Sequence, residues 1–302
     1  MTVKQTIKGN LKTVDWRPDP GVSVLPCAPP PEYEASDKDI ELFDRNGVVL
    51  QRSAFKSWVN ILQRGLDKNL SHPNNYAFPC ESVKEGQPGR FFDSYCNWHR
   101  IQEYRDYIFK SCAASMAGQF MRAASAQLFH EHVFCKEPGT QAPTPWHHDL
   151  PYYSVDGFQT VSIYIALDTI PEKTAIRFVR GSHKWDELFF PRHFLDGSSY
   201  KHSDPTLRLA PNVEEERGKY DVLVWALEPG DAVLFDFRTL HGTTGATNSN
   251  RRRAFSTRWL GDDITYYERI GETSPPINLT NVQSGDRLPE DYFPVLWRRN
   301  TE

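Results

Sequence analysis

Two imidazoles and a carboxylate crowd one short stretch, Pro145-Trp146-His147-His148-Asp149-Leu150-Pro151-Tyr152-Tyr153. On an extended strand side chains alternate faces, so His147 and Asp149 project together while His148 and Leu150 project the other way. A His and an Asp on one face, joined by a second His from elsewhere, make a two-histidine-one-carboxylate metal set. That set leaves coordination positions open and is the donor pattern of non-haem Fe(II) oxygen chemistry. The candidate second histidine is His241, just past a strand pattern and followed by Gly242 and Thr243. Eleven residues on comes Arg252, which a strand running back beside His241 would bring near the metal. A planar guanidinium suits the distal carboxylate of a dicarboxylic acid, through two parallel charge-assisted hydrogen bonds.

Other groups are weaker candidates. His130 and His132 share a strand face, but Glu131 between them points away. His183, in Gly181-Ser182-His183, reads as a structural ring bonded to a nearby loop. Arg258 shares a face with Arg252 and either forms a salt bridge or meets an acidic substrate. Arg251 and Arg253 take the opposite face and read as solvated, and Lys136 reads as a surface lysine, with a contact to a carboxylate as the alternative.

These residues need a scaffold. Residues 1–35 include a Pro-rich stretch that reads as an extended arm. A helix is predicted to start at Ser36, with a capping hydroxyl and acids in its first turn, and to close at Gly47. A short strand at Val48-Val49-Leu50 follows. Phe55–Leu70 carries Trp58, Ile61, Leu62 and Leu66 at helical spacing. Ser71–Arg90, rich in Pro, Asn and Gly, reads as a loop. Ile101–Ala124 reads as two helices broken near Ser111. The period then changes to strands at Gln127–Lys136, Thr160–Leu167, Ala175–Val179, Tyr220–Ala226, Ala232–Phe237 and Arg253–Leu260. Phe189–Gly218 and the tail from Thr273 show little pattern. Helices first and strands afterwards predict an α+β fold: a jelly-roll (double-stranded β-helix) core with N-terminal helices packed on one sheet, residues 36–302 forming a single domain.

Composition narrows the class. The 302 residues are 39% hydrophobic and 25% charged with a net charge of -4, long enough for a substantial core. That slightly acidic balance gives no reason to expect nucleic acid or anionic membrane as a partner. Five scattered cysteines, never in a Cys-x-x-Cys pair, argue against a disulfide framework or structural zinc and for a reducing compartment. With no apolar signal core and no spanning run, a cytoplasmic protein is expected. Its oligomeric state is open.

Trp146-His147-His148-Asp149, Arg177-Phe178-Val179-Arg180-Gly181-Ser182-His183, Leu240-His241-Gly242-Thr243 and Arg252-Arg253-Ala254 together resemble the phytanoyl-CoA dioxygenase family. The resemblance spans roughly Leu128–Gly261. It implies Fe(II), 2-oxoglutarate and O2 as cofactor and co-substrates, with His147, Asp149 and His241 as iron ligands. Arg252 would anchor the 2-oxoglutarate C5 carboxylate, Thr243 would assist it, and Tyr164 would line the same pocket. His148 stands where the family usually has a Gln, which places it beside the ligands in a supporting role. Trp146, Tyr152, Tyr153 and Phe178 are candidates for the substrate wall, and Arg258 for a substrate contact. Related halogenases lack the carboxylate, so Asp149 favours hydroxylation of a C–H bond in a small-molecule metabolite, with succinate and CO2 released. Two rivals stay open: a His/Asp/His metal-dependent hydrolase, which zinc would also suit, and a non-catalytic binding domain on the same fold.

Overall fold

The computed structural model describes residues 5–7, 14–19, 21–84, 89–140, 143–192, 204–243 and 250–300. Four helices come early: α1 (Asp37–Asn46), α2 (Val59–Ser71), α3 (Gln102–Lys110) and α4 (Ala113–Phe120). Eight strands then wind the roll: β1 (Ser125–Lys136), β2 (Thr144–His147), β3 (Thr160–Ala166), β4 (Arg177–Val179), β5 (Val222–Val224), β6 (Ala232–Phe235), β7 (His241–Thr243) and β8 (Arg252–Leu260). The chain passes repeatedly between two antiparallel sheets. β1, β8, β3 and β6 lie side by side in the larger one, and β5, β4, β7 and β2 form the smaller. This crossing brings residues distant in sequence to the two walls of one interior, the double-stranded β-helix expected for an α+β chain.

The larger sheet is widened at both edges. Val48–Gln51 pairs with β6, Arg90–Tyr95 with β1, and Cys80–Lys84 with Arg90–Tyr95. Ser71–Arg90 is therefore not one loop, because it holds a strand whose alternation is masked by Pro and Gly on either side. The tail also contributes: Val295–Arg298 pairs with the start of β1.

Alternation along the central strands separates two environments. On β8, Phe255 and Trp259 point outward to the helices, together with Val133 of β1 and Ile163 and Ile165 of β3. Leu62, Leu66, Tyr104, Ile108, Met116 and Phe120 cover that face. Such large buried side chains each contribute about 1.5–3 kcal/mol by leaving water. The inward face carries Arg252, Ala254 and Arg258, which line a cavity between the sheets.

The helix ends follow their sequence signals. Ser36 caps α1 by accepting a hydrogen bond from the Asp39 N–H, and Gly47 ends it at φ +74°. Gly47 is also a close approach, since a Cβ there would fall 2.4 Å from His183 Nδ1 and 2.5 Å from Thr239 Oγ1. Within the N-terminal arm, Gln5–Ile7 pairs with Cys80–Lys84, and the end of the arm packs on α4. Ser115 Oγ accepts from the Tyr33 N–H, and Gln119 Oε1 accepts from the Ala35 N–H.

Candidate active site

β2 ends at His147, and the next residues do not continue as a strand. Asp149 has helical backbone angles (φ -71°, ψ -39°) and leads into a short 3-10 helix, Leu150–Tyr152, with Pro151 in its first turn. Strand alternation is thus not what brings His147 and Asp149 together. Instead the carbonyl of Phe237 accepts from the N–H groups of both Asp149 and Leu150, at 2.8 and 3.0 Å. That turn folds the carboxylate back toward the His147 ring. β7 pairs with β2 so that His241 sits opposite His147. Gly242 permits the approach, because a Cβ there would lie 3.0 Å from the Thr144 carbonyl.

The three side chains converge. His147 Nε2 lies 3.5 Å and His241 Nε2 3.7 Å from Asp149 Oδ1. One candidate ligand atom from each residue falls within 4.8 Å of the others, and all three residues are buried. The ring tautomers are set from behind. Pro145 O accepts from His147 Nδ1 at 2.7 Å, and Thr239 O accepts from His241 Nδ1 at 2.8 Å. A carbonyl can only accept, so each Nδ1 carries the proton and each Nε2 keeps its lone pair for a metal. Thr239 is itself held: its hydroxyl donates to Gly47 O at 2.7 Å, so the end of α1 positions the loop that carries His241.

Burial pushes the Asp149 carboxyl up, but the nearby Arg258 guanidinium outweighs it and holds the group well below the usual carboxylate range. Ser162 Oγ donates to Asp149 Oδ2 at 3.1 Å, and Arg258 Nη2 lies 3.7 Å from the same oxygen. Burial, together with the neighbouring His147, pulls His241 down to about 3, so its ring is neutral.

Across the same cavity is a cationic end. Arg252 and Lys136 are direct cross-strand partners on β8 and β1, and both line the cavity with Thr243, Tyr164, Thr144 and Phe91. Arg252 Nη1 donates to the Thr174 carbonyl, a neutral acceptor. Arg252 stands in the facing sheet, across the interior from His241 rather than beside it. Lys136 lines this cavity, whereas the sequence alone favours a surface lysine. Burial and Arg252 pull its ammonium down to about 7, although the side chain keeps some contact with solvent. Its inward parity becomes legible only once β1 is paired with Arg252. Thr243 Oγ1 accepts from the Thr144 N–H at 3.0 Å, and Tyr164 is buried on β3.

The aromatic candidates scatter. Phe178 is fully buried behind His241, its ring 5.8 Å away and stacked on it, so it backs that imidazole rather than walling the cavity. Trp146 packs outside the cavity against Val179, Phe189, Val213 and Leu240. Tyr152 lies edge-on to His147 at 5.4 Å, and its hydroxyl both donates to Arg192 O and accepts from Arg192 N. Tyr153 is buried and accepts from Arg258 Nε at 3.0 Å. His148 turns its ring onto Phe189 at 4.8 Å, with neither nitrogen hydrogen-bonded among the described residues. His183 Nε2 donates to Asp44 O at 3.1 Å, and Arg253 pairs with Asp168 and Asp67 rather than standing in solvent. The cavity wall is instead completed by Phe91, Phe134, Ile176 and Phe235.

The family model for phytanoyl-CoA dioxygenase (PhyH) matches residues 43–254, a span that contains the triad and Arg252. The chain belongs to the phytanoyl-CoA dioxygenase family. Solved structures share the fold of this family member at low identity. The carbocyclase SnoK from nogalamycin biosynthesis, described as non-haem and alpha-ketoglutarate dependent, is 18% identical with TM-score 0.66, covering 87% of this chain and 96% of its own. The epimerase SnoN of the same biosynthesis, solved with Fe3+, alpha-ketoglutarate and nogalamycin RO, is 17% identical with TM-score 0.68, covering 86% and 98%. EctD from S. alaskensis, solved with 2-oxoglutarate and 5-hydroxyectoine, is 15% identical with TM-score 0.59, covering 90% and 92%. A comparison with curated protein sequences gave no match.

Proposed function

We propose that this phytanoyl-CoA dioxygenase family member is an Fe(II)- and 2-oxoglutarate-dependent oxygenase that hydroxylates a C–H bond of a small-molecule metabolite. The observation that carries this reading is a single cavity with a lone-pair-bearing His/Asp/His set on one side and a two-cation end on the other. The donor set fits a divalent ion: two imidazole nitrogens whose protons are committed elsewhere, and one ionised carboxylate. An ion held by these three residues would keep coordination positions for further oxygen donors. Bound iron and 2-oxoglutarate would supply the oxidising power, with succinate and CO2 as products.

The protein's own residues do the rest. His147, His241 and Asp149 hold the ion, and Ser162 and Arg258 steady the outer oxygen of Asp149. Arg252 and Lys136, with the Thr243 and Tyr164 hydroxyls beside them, take the distal carboxylate of 2-oxoglutarate. Phe91, Phe134, Ile176 and Phe235 keep water from the space between. The structural neighbours named as a carbocyclase and an epimerase point to other outcomes on this fold, while the 5-hydroxyectoine held by EctD carries a hydroxyl group. Asp149 closes the position a halide would need, which supports hydroxylation here. A hydrolase would leave the cationic end without a role.

No helix among the described residues is long and apolar enough to cross a membrane, and all five cysteines are free thiols. Both agree with a cytoplasmic reading. Residues 36–302 are read as one domain around this site, with 1–35 as an arm. The test is succinate release from 2-oxoglutarate in the presence of Fe(II) and ascorbate across a metabolite panel. Release that depends on His147 supports the proposal; none with any compound sinks it.

A further inference from the structure

Arg258 is buried at 4% exposure beside the metal set, and only part of its guanidinium is engaged. Nε donates to Tyr153 and Nη2 faces Asp149, but Nη1 has no hydrogen-bond partner among the described residues. Its cross-strand partner on β1 is His130, which therefore shares its face and is 1% exposed with Nδ1 also unpartnered. Burial and the Arg258 charge hold His130 well below its ordinary range, so it stays a neutral ring able to donate or accept. Buried polar atoms are nearly always satisfied, and a buried guanidinium N–H left unpaired is costly. Arg258 lines the cavity, so the partner that completes it can come from a molecule bound there.

Charge defines that molecule. Among the charged residues of the cavity wall, one carboxylate, Asp149, faces Arg252, Arg258 and Lys136. The Fe(II) ion and the 2-oxoglutarate dianion of the proposed function cancel each other. A surplus of at least one positive charge therefore remains in a low-dielectric space, where it is felt strongly. Arg252 and Lys136 sit together and are committed to the co-substrate. Arg258 lies at the other end of β8's inward face, next to the metal ligand Asp149.

We propose that the substrate is a small carboxylic acid whose carboxylate is received by Arg258 Nη1, with His130 beside it. This rests on the oxygenase reading above and names its substrate class. A planar carboxylate satisfies the unpaired guanidinium N–H through a charge-assisted bond and cancels the surplus charge. It also fixes the acid next to the metal set. A neutral amide of the same shape would offer an acceptor without the charge.

The test is calorimetric. Protein loaded with Mn(II) and 2-oxoglutarate is titrated with matched acids and primary amides on the same skeletons, covering straight-chain, aromatic and α-amino members. The expected result is that at least one acid binds, and binds about tenfold or more tightly than its amide. Arg258→Gln is expected to remove that difference, the acid losing more affinity than 2-oxoglutarate does. Arg258→Lys keeps the charge and should keep the preference for the acid. Arg258→Lys and His130→Phe carry the test if the glutamine variant does not fold. Acids and amides binding equally, no acid binding at all, or Arg258→Gln weakening 2-oxoglutarate and acid alike would each overturn the proposal; the last would leave Arg258 as only a brace for Asp149. Wild-type protein that fails to bind 2-oxoglutarate would overturn the oxygenase reading itself, and this inference with it.

Discussion

Arginines on the two faces of β8 meet different fates. On the outer side Arg253 donates to Asp168 at 2.8 Å and reaches Asp67 at 3.2 Å, and Arg251, just before the strand, pairs with Glu137 at 2.9 Å. On the inner side Arg252 has only a backbone carbonyl among its described hydrogen-bond partners, and Arg258 shares one carboxylate that a metal would also claim. Among the described residues, the outer arginines each meet a carboxylate outside the cavity, while Arg252 meets none and Arg258 meets only Asp149. The same residue type, one position apart, is thus paired with carboxylates or turned into the cavity according to which side of the sheet it faces.

That contrast can be broken experimentally, and the largest effect should come from the carboxylate the inner face serves. Asp149→Ala or His147→Ala should cut turnover by about 1,000-fold or more, since a catalytic metal is worth several kcal/mol. Metal content measured after dialysis should fall with it. Full activity in either variant would move the site elsewhere.

Arg252→Ala comes next. It should weaken 2-oxoglutarate binding by about 10–100-fold, the worth of its charged hydrogen bonds, with little change in thermal stability. A large drop in melting temperature with unchanged affinity would make Arg252 an outer-face arginine in disguise.

Lys136 sharpens the comparison through pH. Its ammonium is charged below about 7 and neutral above, so 2-oxoglutarate should bind more tightly on the acid side of that value. Lys136→Met should lose about tenfold at pH 6, the worth of one charged hydrogen bond, and little above pH 8. In the free protein the sign reverses. The unfolded lysine keeps its proton up to about 10.5, so between those values the unfolded chain binds more protons and stability rises with pH. Denaturant titrations at several pH values should show that rise in the wild type and a flatter profile in Lys136→Met.

The smallest effect belongs to the outer face. Arg253→Ala should cost about 1–2 kcal/mol of stability, as a partly buried ion pair does, read as a lower denaturant midpoint. Turnover should be unchanged.

Much of this was legible in advance because it depends on residue type and local spacing. Ser36 and Gly47 marked the ends of α1 through capping chemistry, and the break at Ser111 separated α3 from α4. The alternation of β1, β3 and β8 could be read because long strands with one apolar face impose a period of two. The strands Cys80–Lys84, Arg90–Tyr95 and Val295–Arg298 were not legible, since they are short edge elements whose stability comes from their neighbours. β7 was likewise hidden, because three residues carry no period.

The sequence by itself determined the donor chemistry: two imidazoles, one carboxylate, and an arginine at a fixed distance from the second imidazole. Those identities are written in the chain and need no packing to be read. Only the tertiary structure decided that Asp149 reaches His147 through a turn held by the Phe237 carbonyl rather than by strand alternation. It also decided that Lys136 faces inward, and that Trp146 and Phe178 pack away from the cavity rather than lining it. The physical reason is the same for each. Parity along a strand says which residues share a face, whereas pairing across the sheets says which face looks into the cavity.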